Sequence, residues 1–133
     1  MVKLVRAAAF AALIASAAIA EVRAQSAFPY DHDLVFDAPP MRGSKRVPIL
    51  TVAEGGAAQI DLWCKRGAGQ AVIAGDTITI IIKSMTDEPC TPERAQADQD
   101  MLAALEQVTA WSLRDVVVTL AGPKPLRFRM ATN

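Results

Sequence analysis

A chain of 133 residues accommodates one domain of ordinary size and leaves no room for a second. Its 14 basic and 14 acidic residues cancel, which argues against a nucleic-acid binder with its strong positive bias. Beyond the first segment, Ile, Leu and Val recur in regular patterns, and that excludes a disordered tail.

Residues 1–24 read as a signal peptide. Lys3 and Arg6 precede a run from Ala7 to Ala20 in which only Ser16 interrupts thirteen apolar residues, the order of a secretory leader. A bilayer core needs about 20 apolar residues in a helix, so no stable membrane span is expected here. Small-residue cleavage motifs end at Ala20 and at Ala24, and both stay open; the second is adopted. No cysteine lies beside either, so a lipid anchor is not expected. Cleavage at Ala24 removes Lys3, Arg6 and Arg23 against Glu21, leaving a slightly acidic product. That product is expected to be periplasmic or secreted.

Residues 25–46 are rich in Pro and Asp and settle into no period. Pro29, Pro39, Pro40 and Gly43 interrupt any regular element, so this stretch reads as an irregular lead-in with at most one short strand, at Leu34–Phe36. The domain proper is expected over residues 47–133. Val47–Val52 is β-branched enough for a strand, and Gly55-Gly56 supplies a turn. Ala58, Ile60, Leu62 and Cys64 then alternate with Gln59, Asp61, Trp63 and Lys65, the period of a strand with one buried face. Gln70–Ile73 and Thr77–Lys83 flank Ala74-Gly75-Asp76 and predict a hairpin.

A helix is predicted from Thr91. That residue suits an N-cap, Pro92 suits the first helical position and Glu93 complements the positive helix end. Ala97, Met101, Ala104, Leu105 and Val108 share one face, so the helix should pack that stripe on a sheet and end near Val108. Val116–Leu120 and Leu126–Met130, separated by Ala121-Gly122-Pro123-Lys124, predict a closing hairpin.

Cys64 and Cys90 are the only two cysteines, and export to an oxidising compartment predicts that they form a disulfide. The alternative, a redox pair or metal site, lacks Cys-x-x-Cys spacing and has a single histidine to draw on.

From about Ala58 to Met130 the chain resembles the META domain family, which includes HslJ-like heat-shock proteins. The resemblance rests on the order of short pieces. They are Cys64 with its following Gly-containing segment, Gly75-Asp76-Thr77-Ile78, Ser84-Met85-Thr86 before Cys90, Met101-Leu102-Ala103-Ala104-Leu105, Asp115–Leu120 and Leu126-Arg127-Phe128. Trp63 and Lys65 stand where the family usually carries Gly and Asn around the first cysteine. The resemblance implies an α+β fold, a curved and mostly antiparallel sheet packed with one helix, in a secreted or envelope protein of bacteria. It implies no enzyme mechanism.

Candidate sites are few. Asp31-His32-Asp33 holds metal-ligand chemistry, but three consecutive residues converge poorly on one ion; no metal or cofactor is expected. Ser84, Thr86 and Ser112 lack a plausible histidine base, and Asp87-Glu88 reads as a solvated pair ahead of the helix. No catalytic residue is therefore assigned. Trp63, Lys65, Arg66, Arg127 and Arg129 form the candidate binding surface, with Lys45-Arg46 adding charge and Trp111 a second aromatic. The expected function is non-catalytic binding in an envelope or stress-related role. The expected state is a monomer whose partner is an envelope protein or ligand and not nucleic acid. The alternative is a small secreted inhibitor or ligand-binding domain on a disulfide-tied β scaffold.

Overall fold

A computed structural model of the chain describes residues 26–132; the signal-peptide assignment lies outside the described residues. Eight strands and one helix follow in the order β1 (Asp33–Phe36), β2 (Ile49–Val52), β3 (Ala57–Asp61), β4 (Arg66–Ala74), β5 (Thr77–Met85), α1 (Pro92–Glu106), β6 (Ala110–Arg114), β7 (Val117–Ala121) and β8 (Leu126–Met130). Every strand pairs antiparallel with the next, and β1 also pairs with β8, so the sheet closes into a barrel. The mostly antiparallel sheet with one helix is as expected, but it closes into a barrel where only a curved sheet was expected. Closure through β1 and β8 covers the two outer strands, which would otherwise offer unpaired N–H and C=O groups, while the β5–β6 junction is thin and paired in register only at Thr77 and Ala110.

Closure depends on residues read as a lead-in. Leu34 is fully buried and lies between Leu50 of β2 and Met130 of β8. A domain boundary at Val47 would cut this strand away, so the folded unit starts earlier than the sequence suggested. The other difference is β6. Only Trp111 and Leu113 mark its inward side, directly after the helix and without a Gly or Pro to announce a new element. The predicted closing hairpin is therefore the second half of a three-stranded meander, turned between β6 and β7 by Asp115 at φ 55°.

The alternation holds in β3, with Ala58 and Ile60 buried and Gln59 exposed, but the strand expected to run on through Cys64 and Lys65 stops at Asp61, and residues 62–65 turn the chain into β4. Leu34, Leu50, Ile60, Ile78, Leu120, Leu126 and Phe128 meet inside the barrel at 3% exposure or less; burying each such side chain contributes about 1.5–3 kcal/mol. The predicted helix cap also forms, with Thr91 Oγ1 accepting from the Arg94 N–H at 3.4 Å and Pro92 at the helix start. Met101 and Leu105 of α1 face Leu50, Ile60, Leu62 and Phe128 across a gap too small for water, so the helix covers the barrel rather than lying apart from it.

The longest ribbon, β4 and β5, shifts register between Ala68 and Gly69. At Gly69 an added Cβ would run into the Ile81 carbonyl of the neighbouring strand, a backbone atom that cannot swing aside. Gly69→Ala is expected to cost about 1–3 kcal/mol, measured as a lower urea midpoint. An unchanged midpoint would mean that the two strands separate easily at the bulge.

Candidate functional site

The turn between β3 and β4 is held by both a buried carboxylate and a disulfide. Asp98, on the helix, is 1% exposed. Its Oδ1 accepts the Trp63 N–H at 3.0 Å, its Oδ2 accepts the Lys65 N–H at 2.8 Å, and the Cys64 N–H is shared between both oxygens at 3.4 and 3.3 Å. Three successive N–H groups thus make a cradle for one carboxylate. No Lys or Arg among the described residues lies within 4.0 Å of it, so its close polar contacts are backbone N–H groups. The same turn is bonded covalently to the approach to α1, where Cys64 and Cys90 form a disulfide with Cα atoms 6.0 Å apart. The sulfurs and a carboxylate oxygen of Asp98 lie within 4.8 Å of one another, and with the sulfurs joined neither is a thiolate ligand.

Trp63 belongs to this corner more than to an open surface. Its ring packs edge-on against Phe36, centroids 5.9 Å apart at 87°, and its indole Nε1 is buried without a hydrogen-bond partner. With Phe36, Ala97, Asp100, Met101, Lys124 and Leu126 it lines a cleft of about 160 Å³. Trp111 is likewise held inside: it is 6% exposed, its Nε1 donates to the Gly75 carbonyl at 2.8 Å, and Phe28 meets it edge-on at 5.2 Å. His32 is exposed in the turn before β1, while the neighbouring Asp33 accepts from Thr51 Oγ1 at 2.8 Å. This tripeptide does not converge.

The basic residues divide into two groups. Cross-strand register runs from Arg129 through Val35, Ile49 and Asp61 to Arg66, so Arg66 stands four strands from Arg129 around the barrel. Arg66 pairs with Asp61 at 3.4 Å, and Lys65 is fixed through its backbone to Asp98. Arg129 is paired with Asp37 at 3.1 Å. Arg127, on the same outer side of β8, has no carboxylate within 4.0 Å among the described residues, and the same holds for Arg114 at the end of β6.

These two unpaired arginines border one groove. Ser112, Arg114, Asp115, Val117, Thr119 and Arg127 enclose about 520 Å³ on the outer face of β6–β8. Ser112 lies directly across from Thr119, and Thr119 from Arg127; Arg114 lies across from Val117. The small side chains of Ser112, Thr119 and Val117 make the floor, and the long ones stand at its sides. By sequence alone Ser112 reads only as a possible nucleophile, and Arg114 and Asp115 are not singled out as site residues. The signal that marks them is the Arg114-Asp115 step between two alternating runs, which is legible once β6 is recognised.

A closed antiparallel meander of eight strands, with one helix inserted between the fifth and the sixth, defines the class of protein: a small closed β-barrel covered by a single helix. The chain matches the META domain model over residues 31–132 and belongs to the META domain family. The match begins just ahead of β1, so the family unit includes the whole barrel. Comparison with curated proteins and with solved structures finds no match. No helix among the described residues is long and apolar enough to cross a membrane.

Proposed function

We propose that this META-domain barrel is exported and works by binding an envelope component without turning it over, in an envelope or stress-related role. The single observation that carries the binding reading is the groove of β6–β8, where Arg114 and Arg127 border about 520 Å³ without a carboxylate partner of their own. Guanidinium groups recognise carboxylate and phosphate with directed, paired hydrogen bonds. Export is supported separately by the disulfide, which suits an oxidising compartment, and by the leader-like order of residues 1–24. Trp63 plays a structural part in this reading, because its ring is occupied by Phe36.

Fractionation of cells expressing the full chain tests the proposal. The expected result is oxidised protein in the extracytoplasmic fraction that sediments with isolated envelope, less so when Arg114 and Arg127 are both changed to Gln. Protein retained in the cytosol with free thiols would overturn export. Equal sedimentation of the wild type and the double variant would remove the groove from the binding role.

A further inference from the structure

We propose that the β6–β8 groove takes a phosphorylated sugar, with the phosphate held by Arg114 and Arg127 and the hydroxyls by Asp115, Ser112 and Thr119. The inference rests on the binding role proposed above and names the ligand class for the same site.

Three features point to this chemistry. The first is size. A volume of about 520 Å³ lies within the range of about 300–1,000 Å³ usual for sites of small organic ligands, and it is far more than one bare phosphate fills.

The second is the donor set. Arg114 and Arg127 stand two strands and one two-residue step apart, roughly 12 Å between their Cβ atoms by strand spacing and rise. Both side chains are long enough to reach inward over Thr119 and Val117 from opposite sides. Ser112 and Thr119 offer hydroxyls that donate to an oxyanion or accept from a sugar hydroxyl. Arg129, the remaining basic residue on this side of β8, is occupied by Asp37 and does not compete.

The third is Asp115. Its carboxylate lines the same groove as the two arginines yet lies within 4.0 Å of neither guanidinium. An ionised carboxylate accepts hydrogen bonds and repels anions. A site for a bare polyanion gains nothing from it, whereas a ligand carrying both an anionic group and hydroxyl donors uses it. Asp115 sits at φ 55° in the two-residue β6–β7 turn, a conformation Asp and Asn both tolerate, so the backbone fixes it at the rim. The apolar floor at Val117 suits the carbon face of a sugar ring.

The ligand has two possible sources, a free sugar phosphate or the head group of a phosphorylated glycolipid. The experiment titrates the full oxidised chain by calorimetry with glucose 1-phosphate, glucose and inorganic phosphate. A parallel arm measures sedimentation with phosphatidylcholine vesicles with and without lipid A. The expected result is that glucose 1-phosphate binds more tightly than either of its parts. Arg114→Gln and Arg127→Gln each weaken it by about tenfold or more, as loss of a charge-assisted hydrogen bond does. Asp115→Asn weakens glucose 1-phosphate but not inorganic phosphate, and Lys83→Gln, an exposed cation on β5 outside the groove, changes neither. Lipid A-dependent sedimentation that both arginine variants lose assigns the glycolipid source; binding confined to the soluble arm assigns the free sugar phosphate. The proposal is overturned if neither probe binds, if inorganic phosphate binds as well as glucose 1-phosphate, or if the arginine variants bind like the wild type. Envelope sedimentation that needs the arginines, in a protein that ignores both probes, rejects this ligand class and keeps the binding role.

Discussion

Asp98→Ala is expected to lower the unfolding free energy by about 1.5–3 kcal/mol, the loss typical of removing a buried charged acceptor from its hydrogen-bond donors. The carboxylate is 1% exposed and accepts the N–H groups of Trp63, Cys64 and Lys65. Truncation leaves three donors without their acceptor and opens a space beneath the turn. Water reaches part of this gap, because Cys64 and Lys65 are only half-buried, which places the result toward the lower end. Asp98→Asn separates charge from shape: its amide keeps one acceptor oxygen but turns an NH₂ toward the cradle, so it should recover less than half of the loss. Guanidinium unfolding of the oxidised protein measures both. A midpoint for Asp98→Ala equal to the wild type would mean that the turn holds its conformation without the carboxylate.

Asp98 also shows where the sequence was legible and where it was not. Thr91 and Pro92 announce the helix start because a cap is local chemistry, and the Ala58–Leu62 alternation announces a strand because its period is local too. Asp98 lies three residues before Met101 and seven before Leu105, on the buried stripe. A lone acid at such a position is a readable anomaly. Its partners are backbone N–H groups, however, and these carry no residue signature. Closure of the barrel was hidden for a related reason. β1 is four residues long and pairs with β8 more than ninety residues away, so no local window contains the evidence. On β8, Arg127 and Arg129 read as neighbours on one strand side, but only the fold shows that Asp37 occupies Arg129 and that Arg114 accompanies Arg127 at the groove.

Reduction of the disulfide is expected to destabilise the domain by about 3.5 kcal/mol in the chain-entropy treatment, since Cys64 and Cys90 close a loop with a sequence separation of 26. That loop contains the whole β4–β5 ribbon, so freeing it returns considerable disorder to the unfolded chain. The cost is a large part of the ~5–15 kcal/mol available to a small domain. The barrel should therefore remain folded at 25 °C when reduced, with a melting temperature lowered by at least several degrees. Cys64→Ala/Cys90→Ala should behave as the reduced protein does. The disulfide and Asp98 tie one turn to one helix by different means, so their effects should not simply add. With Cys64 and Cys90 unlinked, Asp98 is the main polar restraint on residues 63–65, and Asp98→Ala should then cost more than it does in the oxidised protein. A double-mutant cycle reads this directly, with a coupling of about 0.5–3 kcal/mol expected for two such neighbours. Strict additivity would mean that the covalent and the electrostatic restraints act on independent parts of the fold.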